Sequence, residues 1–126
     1  MAGKKKILLA EDDKFINKAY TDGLTRAGFV VIKAMNGTEA VEKVQSEKPD
    51  ILLLDIVMPD KNGFEVLEEI QKIGTVKKIP VIILSNLGQS SDVEKGKKLG
   101  AVDYLIKSNV SMKKVIEKVS AILAKK

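Results

Sequence analysis

Five short apolar runs recur along the chain, at residues 7–10, 29–32, 51–54, 81–84 and 102–106. They are nearly continuous rather than alternating, which predicts strands covered on both faces. Between them the apolar positions recur at helical spacing. Ile16, Tyr20, Leu24 and Ala27 make one stripe, and Ala40, Val41 and Val44 a second. Phe64, Val66, Leu67 and Ile70 make a third, and Val115, Ile116, Val119, Ile122 and Leu123 a last one. The segment 92–99 is poor in apolar residues, so its helix is expected to be the least firmly packed. Ser91-Asp92-Val93-Glu94 is read as its capping box. Gly28, Gly74 and Gly100 fall where helices should stop. Strand then helix, five times over, predicts an α/β fold: a five-stranded parallel sheet in the order 2-1-3-4-5, doubly wound with five helices. A single domain spanning 1–126 is expected. The last helix runs to within a few residues of Lys126, so no output domain is expected after it.

Composition narrows the chemistry. The chain has no cysteine, hence no thiolate metal site, and no histidine, hence no imidazole base and no phosphohistidine of its own. Carboxylates, hydroxyls, lysines and backbone remain. The net charge of +5 comes from scattered lysines such as Lys113, Lys114 and Lys118, with neither an aromatic platform nor a reading helix. Direct nucleic-acid binding is therefore not expected. The N-terminal apolar run is too short for a signal segment, and no stretch approaches the ~18 apolar residues needed to cross a bilayer. The expectation is a cytoplasmic protein with no membrane association.

In a doubly wound sheet, ligands bind beyond the carboxyl ends of the strands where the strand order reverses, here between strands 1 and 3. Strand 1 ends in Glu11-Asp12-Asp13 and strand 3 in Asp55; strand 4 ends in Ser85-Asn86 and strand 5 in Lys107. Converging carboxylates repel one another unless a cation intervenes. Oxygen-only ligands favour Mg²⁺, or Mn²⁺, over zinc. Asp55 then reads as a nucleophile toward a phosphoryl group, with Lys107 supplying positive charge and Ser85 a hydroxyl. Mg²⁺ and Lys107 would balance the three negative charges of Glu11, Asp12 and Asp55. Taken singly, Asp13 reads as a helix cap, Ser85 as a turn residue and Lys107 as a surface lysine. Their joint placement at strand ends carries the argument.

The residues that do so also carry a resemblance. Ile7-Leu8-Leu9-Ala10-Glu11-Asp12-Asp13, the segment from Pro49 through Asp55 to Met58-Pro59 and Gly63, Ile79-Pro80-Val81-Ile82-Ile83-Leu84-Ser85, and Gly100-Ala101-Val102-Asp103-Tyr104-Leu105-Ile106-Lys107 together resemble the receiver domains of two-component response regulators. The likeness is to the stand-alone, chemotaxis-regulator kind with a flavodoxin-like fold. It implies that Asp55 is phosphorylated, that Glu11, Asp12, Asp55 and the Val57 carbonyl hold Mg²⁺, and that Ser85 and Lys107 bind the phosphoryl group. It further implies that Ser85 and Tyr104 form the switch, Tyr104 turning inward on phosphorylation. The face made by helix 4, strand 5 and helix 5 then changes its partners. Read without the family, Tyr104 is a half-buried strand aromatic.

The implied partners are a histidine kinase or histidine phosphotransfer protein and a separate output protein, with the chain itself a monomer or weak dimer. The alternative is a relay shuttle that hands its phosphoryl group to a histidine phosphotransfer protein. A phosphatase of the haloacid-dehalogenase type would ask for an aspartate where Val57 stands. The sequence departs from the family pattern in three ways. Ser108 replaces the proline after Lys107, so a trans peptide is expected there. Asn86 replaces a small residue. Val57 and Leu87 are apolar at positions that tune phosphoryl lifetime, so a long-lived phosphorylated state is expected. Phe15, off the first helical stripe, is expected to be exposed beside the crevice and to dock the phosphodonor.

Overall fold

A computed structural model describes residues 3–74 and 78–125. The order is β1 (Lys6–Ala10), α1 (Lys14–Arg26), β2 (Val30–Ala34), α2 (Gly37–Glu47), β3 (Ile51–Leu54), α3 (Gly63–Lys72), β4 (Val81–Ser85), α4 (Ser90–Lys98), β5 (Asp103–Ile106) and α5 (Met112–Ala124). All strand pairs are parallel, in the order β2-β1-β3-β4-β5.

Alternation along the central strands explains why their sequences are apolar throughout. Ile7, Leu9, Ile51, Leu53, Ile82 and Leu84 face one layer, where Leu24 of α1 and Val115, Val119 and Leu123 of α5 close over them. Leu8, Leu52, Leu54, Val81 and Ile83 face the other, under Val44 of α2 and Val66, Leu67 and Ile70 of α3. Successive side chains of a strand point to opposite faces, so a strand buried on both sides has no polar position to spare. Truncating one such leucine to alanine costs about 2–5 kcal/mol.

The edges follow different rules. Strand β2 begins at Val30, runs two residues further than its apolar run, and has only Ala34 fully buried. It lies at the sheet edge, and Lys43 caps its Lys33 carbonyl. Ala27 is exposed as the C-cap of α1 rather than part of its buried stripe. Helix α4 starts earlier than its capping signal suggested. Gln89 is its N-cap, and the Asp92 carboxylate accepts from the Gln89 amide at 3.3 Å. As expected from its composition, α4 buries only Gly96. Gly28 and Gly100 end α1 and α4 at φ 102° and 108°, conformations open to glycine. Gly74 follows α3 without a left-handed φ. Among the described residues, no helix is long and apolar enough to cross a membrane.

Candidate functional site

The carboxyl ends of β1, β3, β4 and β5 open onto a crevice of about 300 Å³. Glu11 and Asp12 leave β1, and Asp55 leaves β3 level with Glu11, because Ala10 pairs with Leu54. One carboxylate oxygen from each of Glu11, Asp12 and Asp55 lies within 4.8 Å of the other two. Glu11 and Asp55 are buried and Asp12 is exposed. Ser85, 1% exposed, sits at the end of β4, and its hydroxyl oxygen accepts from the Leu87 amide at 3.3 Å. Lys107, just past β5, donates to Glu11 and, at 2.9 Å, to Asp55 Oδ2. The strand-end residues singled out in the sequence are thus gathered into one site.

Neighbouring bonds fix these groups. Asp55 Oδ1 accepts from the Ile56 amide at 2.7 Å, and Glu11 Oε2 from the Asp13 amide at 2.9 Å. Asp13 caps α1, accepting from the Phe15 and Ile16 amides. Asn17, which the sequence reading passed over, is 2% exposed and donates to the Glu11 carbonyl at 2.9 Å. Thr21 donates in turn to Asn17 at 3.2 Å. The signal was present: Asn17, Thr21 and Leu24 recur at helical spacing on the inner side of α1. Gly63 closes the loop after Asp55, donating to the Ile56 carbonyl at 2.8 Å, and its α-carbon lies so close to the Asp55 carbonyl that a β-carbon has no room.

Burial pushes the Glu11 carboxyl above its ordinary range, against hydrogen bonds from Lys107 and the Asp13 amide. Burial also opposes the charge on Lys107, but its hydrogen bonds to Glu11 and Asp55 outweigh that and hold it above the usual lysine range. The crevice therefore holds negative charge that one ammonium only partly balances. Its donors are all oxygens, two of the three carboxylates being buried, and such a set fits a hard divalent cation. The triad can bind a metal ion.

Tyr104 is 8% exposed, packed under α4 where Gly96 leaves room for its ring, and its hydroxyl donates to the Leu87 carbonyl. The Tyr104 side chain is thus buried in this structure. Burial, with the charges of Asp92 and Asp55, pushes its phenol up to about 12. Phe15 is 87% exposed; Val57 and Leu87 line the crevice and remain partly open to solvent. The Lys107–Ser108 peptide is trans, no cis bond occurring among the described residues.

Comparison with known proteins agrees with this geometry. Residues 7–120 match the family described as the response regulator receiver domain. The chain is 41% identical to chemotaxis protein CheY of Thermotoga maritima over 82% of this chain and 85% of that one. It is 38% identical to protein PilH of Pseudomonas aeruginosa over 94% and 98%. The receiver domain of Francisella response regulator 1452 superposes with a TM-score of 0.88 at 30% identity, covering 97% of this chain and 98% of that one. With sequence, fold and an acidic crevice at the strand-order reversal in agreement, the chain belongs to the response regulator receiver domain family, the signalling module of two-component systems.

Proposed function

We propose that this chain is a phosphorylation-controlled interaction module that takes a phosphoryl group onto Asp55 from a phosphohistidine donor and regulates a separate protein. The observation that carries this is the pairing of Asp55 with Lys107 at 2.9 Å inside the carboxylate triad. A nucleophilic carboxylate there has a cation fixed beside it and faces a crevice of about 300 Å³.

A carboxylate oxygen of Asp55 attacks phosphorus while the donor's P–N bond breaks, and the imidazole leaves with the electron pair and takes a proton from water. Lys107 compensates charge on the phosphoryl oxygens, and the Ser85 hydroxyl turns to donate to one of them. Glu11, Asp12, Asp55 and the Val57 carbonyl would hold Mg²⁺, with Mn²⁺ as the substitute. When bound, that ion neutralises phosphoryl charge that the acids alone would repel. Ser85 and Tyr104 act as the switch, since the Tyr104 hydroxyl reaches the Leu87 carbonyl two residues beyond Ser85. Their movement alters the face formed by α4, β5 and α5, where the output partner binds. The match to CheY and PilH over most of their lengths supports a partner in trans. Exposed Phe15, beside the crevice mouth, is the docking contact for the donor. The test is intact mass after incubation with a small phosphodonor, with and without Mg²⁺; modification that survives Asp55→Asn sinks the reading.

A further inference from the structure

Two of the departures from the family pattern meet in space. Asn86 follows Ser85, and Ser108 follows Lys107, 22 positions away in sequence. The Asn86 Oδ1 accepts a hydrogen bond from the Ser108 backbone amide at 3.0 Å. The ladder between β4 and β5 ends at the pair Ser85↔Ile106. The Asn86 side chain therefore supplies one more tie between the two strands beyond the last backbone pairing. Lys107 lies between the two ties, with Ile106 held by the ladder on one side and Ser108 by Asn86 on the other. A proline at 108 has no N–H and leaves such an acceptor without its donor. Asn86 also lines the crevice itself.

Resting on the phosphoacceptor reading above, we propose that Asn86 and the Ser108 amide are a positioning pair that holds Lys107 and Ser85 in register for phosphoryl transfer. Neither touches the reacting atoms; they act through the lysine and the hydroxyl that flank them. The bond lies near the surface, so its loss leaves the core untouched and falls on the placement of the Lys107 ammonium. Misplacement of a reacting group by even an ångström can cost ~10²-fold in rate, so losing one of two restraints is expected to slow phosphorylation by roughly 10-fold.

The experiment follows Mg²⁺-dependent phosphorylation by a small phosphodonor in the parent chain and in Asn86→Ala, Ser108→Pro, Ser108→Ala and the double variant Asn86→Ala/Ser108→Pro. Hydrogen exchange of the Ser108 amide and thermal midpoints are measured alongside. Asn86→Ala and Ser108→Pro should each slow the reaction with little change in midpoint. Ser108→Ala keeps the backbone donor and should match the parent. The double variant should be no slower than the slower single, because both remove the same bond, and Asn86→Ala should lose exchange protection at Ser108. The proposal is overturned if Asn86→Ala matches the parent, if the two single effects multiply in the double, or if Ser108→Ala slows the reaction as Ser108→Pro does. A parent chain that takes up no phosphoryl group overturns the functional reading and this pair with it. Equal rates in parent and variants overturn the pair alone.

Discussion

Replacing Lys107 with methionine removes the ammonium from the crevice while keeping most of its apolar stem. The side chains of Lys107, Asp55 and Glu11 are 11%, 8% and 3% exposed, so the two acids lose their cation in a largely dry setting. At an effective dielectric near 20, unit charges at the Lys107–Asp55 separation attract by roughly 6 kcal/mol, most of it offset by desolvation. Removing one partner of a buried pair typically costs about 3–5 kcal/mol. The crevice opens to water along one side and Asp12 is exposed, which lowers the expectation to about 2–3 kcal/mol. For a chain of this size that is a fall of roughly 8–12 °C in thermal midpoint. Urea unfolding followed by circular dichroism without divalent ions gives the value directly. Adding Asp55→Asn should recover part of the loss, and Mg²⁺ should stabilise the methionine variant by supplying the missing positive charge. If Lys107→Met unfolds within about 0.5 kcal/mol of the parent in the absence of metal, the pairing does not stabilise the fold and the reasoning is wrong.

Other expectations concern the rim and the switch. Phe15→Ala removes an 87% exposed ring, so stability should hold within about 0.5 kcal/mol. Transfer from a cognate phosphohistidine protein should slow, while transfer from a small phosphodonor should not; equal slowing of both would refute a docking role. Alkaline difference absorbance should show Tyr104 ionising at about 12, above the ordinary value of 10.0, with Tyr104→Phe removing that step. Because the folded value is raised, the stability from the neutral phenol is whole below pH 10.0 and is lost as pH rises through about 12. Finally, Val57 and Leu87 line the crevice without a hydrogen-bonding group to orient an attacking water. Val57→Asn and Leu87→Glu should each speed decay of the phosphorylated chain by ~10-fold, below the ~10²–10⁴-fold that a fully positioned group supplies because neither new side chain has a shell built to aim it. Decay no faster than the parent's would show that water access is not the control.

How much of this was legible in sequence depended on where each residue lies in the sheet. The central strands β1, β3 and β4 are buried on both faces, so their apolar runs located them to within a residue. Strand β2 was displaced because an edge strand needs only half its surface covered, and Lys33 and Val30 stay exposed. The start of α4 was misplaced because Gln89, a weaker cap than Ser91, lies where the loop actually enters the helix. The acidic crevice was readable because its members stand one after another at strand ends, which a parallel sheet brings to a common edge. Asn17 escaped because it and Thr21, at helical spacing with Leu24, are polar, and a search for apolar stripes passes over them. The Asn86–Ser108 contact escaped for a different reason. Each was visible as a departure, but their pairing depends on the register between β4 and β5, which nothing local in the sequence specifies.

The central claim is that Asp55 is the residue that carries the phosphoryl group, with a divalent ion beside it. The most direct measurement is to phosphorylate the chain with a small donor in Mg²⁺, trap the acyl phosphate by reduction, and map the modified residue by peptide mass spectrometry. The account predicts one modified site, at Asp55, that is lost when Mg²⁺ is chelated and lost in Asp55→Asn. Modification at any other residue in the parent chain, or labelling of Asp55 that is indifferent to Mg²⁺, would contradict it.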